Sequence, residues 1–205
     1  MDNFALLGQP RLPWLDSAVL KAAFLEQSAR LHPDRVHAAS AEEQAAATGR
    51  FAELNAAYNC LRQPKERLLH LLELESGAPP ANVQSVPGDT MDLFMETGQI
   101  CRQTDQFLAA RSRAASPLLQ AQMFEQALDW TARLQALLER IQLRRDGLLA
   151  ELPAMNDAWI SAPPAPPPAR AGALPLARLE ELARTLSYIA RCEGQIQERL
   201  AQLSF

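Results

Sequence analysis

Two long runs in the C-terminal half place apolar residues at alternating spacings of four and three, a rhythm that helices packed along a common seam satisfy. From Pro117 to Leu149 the run is Met123, Ala127, Trp130, Leu134, Leu137, Ile141 and Leu148, with one polar slot at Arg144. From Leu176 to Leu203 it is Leu179, Leu182, Leu186, Ile189, Ile196, Leu200 and Leu203, interrupted only at Glu193. Heptad-like seams on helices of one chain predict an antiparallel bundle or coiled coil. A further helix, from about Asp89 to Arg113, has Leu93, Ile100 and Phe107 as its most regular apolar line. Between the last two helices, Ala162 to Pro175 holds six prolines in fourteen residues. That segment is expected to be a polyproline-like or disordered loop whose shortening costs the fold little.

The N-terminal half is helical as well. Asn3 to Leu7 reads as one short turn closed by Gly8-Gln9-Pro10. Asp16 can cap the next helix, whose apolar positions Val19, Leu20, Ala23, Phe24 and Leu31 fall at helical spacings. Pro33 has no N–H and drives His32 out of the helical region, so this helix must stop at Leu31. After a polar loop, Glu42 to Arg62 carries Phe51, Leu54, Tyr58 and Leu61 on one face. Pro64 restarts a helix with Leu68, Leu69, Leu71, Leu72 and Leu74, and Gly77 to Gly88, with three prolines and two glycines, is a boundary. The expected division is residues 1–76, a linker at 77–88, and a three-helix bundle at 89–205 containing the proline-rich loop at 162–175. No segment demands a β-strand, so the class is all-α.

Charge and composition exclude several functions. A formal net charge of -4 argues against an electrostatic nucleic-acid binder. No stretch of about 18 apolar residues is present, so no membrane span is expected. The opening MDNFALLG lacks a basic n-region or Arg/Ser-rich presequence, so neither export nor import is expected; the expected location is the bacterial cytoplasm. Cys60, Cys101 and Cys192 are far apart and form no CxxC pair, so neither a disulfide frame nor a metal site is expected and no cofactor is implied. A helical enzyme using a cysteine or histidine finds no nucleophile and base in a recognisable pattern.

Two constellations remain. His32-Pro33-Asp34 leaves an imidazole, a rigid ring and a carboxylate side by side in a loop between two patterned helices. Without that context the string is an ordinary turn, Pro at its centre and Asp bonding its own backbone. His37 and His70 have no such context and read as surface or interface histidines. On the bundle, Met95 is rotated about 200° from Leu93 and looks outward if Leu93 faces the seam. Tyr188 is likewise off the seam formed by Leu186 and Ile189. Met91 and Met95 could equally be core filler, whereas two exposed apolar side chains would mark a partner-binding face.

Helix, His-Pro-Asp, loop, helix resembles a J-domain, the module that switches on the ATPase of DnaK-type chaperones. Over nearly its whole length the chain resembles the HscB family, J-protein co-chaperones of iron–sulfur cluster assembly. Asn3-Phe4-Ala5-Leu6-Leu7-Gly8 is similar to the family's opening, and Phe24 with His32-Pro33-Asp34-Arg35 to its second helix and loop. Leu54-Asn55-Ala56-Ala57-Tyr58, Leu61, Pro64, Arg67 and Leu71-Leu72 follow its signature INxAYxxLxxPxxRxxYLL. Phe94-Met95-Glu96 resembles its LME segment, and Leu186-Ser187-Tyr188-Ile189 its LRFL or LKYL segment.

The resemblance implies an N-terminal J-domain hairpin and a C-terminal bundle in an L-like arrangement, without an active site. It implies docking of a DnaK/HscA-type chaperone on His32, Pro33, Asp34, Lys21, Arg30 and Arg35. It implies an IscU-type iron–sulfur scaffold on Phe94, Met95, Gly98, Gln99 and Tyr188, and neither nucleic acid nor membrane as partner. Three departures stand against this pattern. Where the family has a leucine and an acid after LME, this chain has Gly98 and Gln99. Residues 1–76 hold eight basic and ten acidic residues, a net of -2, where J-domains are rich in basic residues on the second helix. The proline-rich insert is atypical. A J-protein adaptor with a different client, its scaffold face having drifted, is therefore the alternative.

Overall fold

The computed structural model describes residues 1–32, 40–78, 88–114, 116–164 and 169–204, and every regular element among them is helical. In chain order these are α1 (Asn3–Leu6), α2 (Ser17–Leu31), α3 (Ala41–Arg62), α4 (Pro64–Ser76), α5 (Gly88–Arg111), α6 (Pro117–Leu149), α7 (Leu152–Ser161), a 3₁₀ turn (Ala171–Ala173) and α8 (Leu176–Leu203). None of the described helices is long and apolar enough to cross a membrane. The chain forms two compact units, Met1–Asn82 with Glu151–Ala183, and Val83–Ala150 with Arg184–Phe205.

In the first unit α1, α2 and α4 all pack on α3. Asp2 caps α1 by accepting from Phe4 N–H and Ala5 N–H, and its other oxygen takes the Arg11 guanidinium at 2.7 Å. Phe4, Leu7, Leu20, Leu54, Leu61, Leu68 and Leu71 are fully buried, each contributing about 1.5–3 kcal/mol in the transfer sense. Phe4 lies flat against His70, ring centroids 5.8 Å apart, while Asn3 N–H donates to His70 Nε2 at 3.1 Å. Gly77 ends α4 in the left-handed region, φ +76°, where a Cβ would be strained. The expected linker lies largely outside the described residues.

Three findings in this unit differ from the sequence expectations. Val19 is 57% exposed, and Leu20 alone of the expected stripe on α2 is buried. Two charged residues of α4 are buried. Arg67 donates to Pro13 O at 2.9 Å and Leu61 O at 2.7 Å, so it serves as a backbone clamp. Burial there pulls its pKa down to about 10. Glu75 accepts two bonds from Arg170, which belongs to the segment expected to be dispensable. Residues 151–183 pack with the N-terminal helices rather than in the bundle. Asn156 on α7 grips Trp14 through both backbone groups, at 2.9 and 3.0 Å. Leu152, Trp159 and Leu179 are buried within the same unit.

The second unit is a three-helix bundle of α5, α6 and the later part of α8. Its registers read from cross-helix pairs. Glu96 meets Arg140 and Phe107 meets Trp130, so α6 runs antiparallel to α5. Phe94 meets Tyr188 and Asp105 meets Arg199, so α8 runs parallel to α5. The gap at Glu193 is closed by an ion pair to Arg145 at 2.7 Å, immediately after the gap at Arg144. On α5 the buried line is Thr90, Thr97, Cys101, Thr104 and Phe107, with the expected Leu93 and Ile100 only half-buried. Thr97 and Thr104 donate their hydroxyls to Leu93 O and Ile100 O one turn back, at 2.7 and 2.9 Å. With the hydroxyl satisfied inside its own helix, each packs as a small apolar residue.

Candidate functional site

The first candidate site is the end of α2. Asp16 starts the helix by accepting from Ala18 N–H at 2.7 Å and Val19 N–H at 3.1 Å. The helix stops at His32, which caps it in an extended conformation, φ -59° and ψ 130°, as a residue before proline requires. α3 fixes the imidazole, because the His32 ring meets Phe51 edge-on at 5.4 Å. Two turns back, Phe24 stacks on Tyr58 at 4.2 Å. These two pairs zip α2 and α3 antiparallel, so His32 stands at the mouth of the hairpin. Pro33, Asp34, Arg35 and His37 lie outside the described residues.

Of the expected chaperone contacts on α2, Lys21 is exposed and Arg30 is tied to Glu26 at 2.6 Å. The outward face of this helix is otherwise short and apolar: Ala18, Val19, Ala22 and Leu25 are exposed. The re-entry into α3 is built by a capping box, with Ser40 and Glu43 satisfying each other's backbone N–H groups at 3.3 and 3.1 Å.

The second candidate site lies on the bundle between α5 and α8. Phe94 and Tyr188 meet edge-to-face at 5.7 Å, an aromatic pair across the two helices. Met95 is 61% exposed and Met91 is exposed beside it. Tyr188 is half-buried, so the expectation of two exposed apolar residues holds for Met95 and not for Tyr188. Gln99 is exposed, and Gly98 is half-buried. A Cβ on Gly98 would meet the Arg102 guanidinium at 3.4 Å and nothing nearer, so that guanidinium lies over the notch the glycine leaves. The Arg191 guanidinium sits 5.9 Å from the Tyr188 ring.

Arg102 and Arg191 are not among the residues that the sequence patterns single out. Their signal was positional, since Arg102 is four residues after Gly98 and Arg191 three after Tyr188, on the same helical faces. Cys101 and Cys192 are buried, and burial pushes both thiols up in pKa, away from thiolate chemistry. Among the described residues no three His, Cys, Asp or Glu side chains come together as metal ligands. The arrangement suits two protein-docking surfaces, one in each unit.

No protein-family model matches the sequence. Solved structures do match the fold. Chaperone HscB from Vibrio cholerae is similar with a TM-score of 0.64 at 22% identity, covering 99% of each chain. Human co-chaperone protein HscB is similar with a TM-score of 0.64 at 16% identity, covering 97% of this chain and 81% of that one. The fold of this chain is the all-α HscB fold over almost its full length.

Proposed function

We infer that this chain is an HscB-type J-protein co-chaperone of iron–sulfur cluster assembly. The observation that carries the reading is His32, followed by Pro33-Asp34, at the abrupt end of α2 and braced by Phe51 of α3, in a chain with the HscB fold throughout. In this reading the first unit docks on a DnaK/HscA-type ATPase, with His32 and Asp34 making polar contacts and Pro33 holding the loop. Docking prefers the hydrolysis-competent state of the chaperone, and that difference in affinity drives the switch. The chain does no chemistry itself. The α5–α8 face, with Phe94, Met95 and Tyr188 as anchors, holds an IscU-type scaffold.

Calorimetric titration of the cognate scaffold tests the client half of this reading. Met95 is exposed, so Met95→Ala should leave the melting temperature unchanged and weaken scaffold binding by about 2 kcal/mol. ATPase stimulation without scaffold should be unaffected. Normal scaffold binding by this variant would move the client site elsewhere. A second reading, a J-protein adaptor with another client, is favoured by Gly98 and the guanidinium that fills its notch. Absence of scaffold binding by the unmodified chain, with chaperone stimulation intact, would select that reading.

A further inference from the structure

We propose that the outward α5–α8 face takes a protein partner whose docking surface carries acidic side chains around an apolar anchor. This rests on the reading of that face as the scaffold site, and adds the chemistry the scaffold must present. Met91, Met95, Gly98 and Arg102 recur every three or four residues along α5, as do Tyr188, Arg191 and Gln195 along α8. Because the two helices run parallel with an offset of 94 residues at both Phe94–Tyr188 and Asp105–Arg199, these stripes lie side by side. Met91, Met95, Arg102 and Arg191 are all exposed on that surface.

Among the described acids of these two helices, four are engaged elsewhere. Glu96 turns to Arg140 and Glu193 to Arg145, both on α6 and both at 2.7 Å. Asp105 and Glu198 are both taken by Arg199, at 3.0 and 2.9 Å. Asp92, exposed and three residues before Met95, borders the patch on the side away from Tyr188, about 160° around the helix from Phe94. Among the described residues Arg102 and Arg191 pair with no carboxylate, and each lies against the patch: Arg102 over Gly98, Arg191 beside Tyr188. The surface is therefore apolar at its centre and cationic within a few ångströms of it. Two guanidiniums among methionines and an aromatic are too few for a polyanion, whose affinity grows with each phosphate neutralised. A folded acidic protein surface with an apolar centre complements them.

The experiment titrates the cognate scaffold protein into the full chain at about 50 and 500 mM salt. Arg102→Glu with Arg191→Glu should weaken binding about tenfold at low salt, most of the difference vanishing at high salt, because exposed charge pairs are screened. The matched double reversal Arg113→Glu with Arg133→Glu, elsewhere in the same unit, should leave binding near the wild-type value. The neutral pair Arg102→Gln and Arg191→Gln should fall between, and guards against misfolding of the reversed protein. Wild-type affinity in the Arg102→Glu/Arg191→Glu protein, alongside weakened binding by Met95→Ala, would overturn this inference and keep the scaffold reading. No scaffold binding by the unmodified chain would overturn both. Displacement of scaffold by an RNA oligonucleotide of equal affinity would overturn the choice of a protein partner.

Discussion

Glu75, fully buried on α4, is held by the guanidinium of Arg170, 95 residues away, through both carboxylate oxygens. A carboxylate without water needs a fixed counter-charge, and this one is supplied from within the proline-rich segment 162–175. The same bond raises the pKa of Arg170. That segment therefore does more than connect helices: its Arg170 neutralises a buried charge within the first unit.

Arg170→Ala is expected to cost about 3–5 kcal/mol, because it strands a buried charge rather than merely deleting a contact. Glu75→Gln should be milder, since it removes the charge. Joint replacement by Glu75→Leu and Arg170→Met should recover most of the loss. Shortening 163–172 would remove Arg170 and should lower the melting temperature for the same reason. Thermal unfolding followed by circular dichroism reads all four. An unshifted melting temperature in Arg170→Ala would show that Glu75 finds another partner.

His70 makes stability depend on pH. Its Nε2 accepts the Asn3 N–H at 3.1 Å, so the folded state holds the ring neutral. Burial is the main reason its pKa is lowered, with Glu73 at 4.0 Å and Asp2 pulling the other way. A histidine whose folded pKa lies below its unfolded value binds its proton more readily in the unfolded chain. Its contribution to stability is then complete above the unfolded pKa, about 6.5. It is lost progressively as pH falls from there through the folded value. Denaturant midpoints at pH 8, 7, 6 and 5 should decline below pH 7, and His70→Gln should flatten that decline. An equal decline in the variant would assign it to other groups.

Leucine-rich seams made α6 and α8 legible, and Pro33 made the end of α2 legible to the residue, since a missing N–H is a backbone fact. α5 was misread because threonine counts as polar until its hydroxyl is satisfied by the carbonyl one turn back, as at Thr97 and Thr104. Arg67 and Glu75 were invisible as core because charged residues default to the surface, and their partners lie on other elements. Residues 151–183 were misplaced because α7 is short and flanked by prolines, while its grip, Asn156 on the Trp14 backbone, leaves no periodic trace. For the candidate sites, the sequence names His32, Phe94, Met95 and Tyr188, and the structure brings Phe94 and Tyr188 together. It could not foresee Arg102 over Gly98, because that depends on a side chain folding back along its own helix.

The central claim is that the first unit drives a chaperone ATPase through His32. Single-turnover ATP hydrolysis by the cognate DnaK-type chaperone measures this directly, with the full chain and with His32→Gln added separately. Replacing one exposed loop residue should leave the fold unchanged, which a matching melting curve would verify. Faster hydrolysis with the unmodified chain and none of that acceleration with the folded His32→Gln protein is the predicted result. Equal acceleration by both proteins, or none by either, would contradict it.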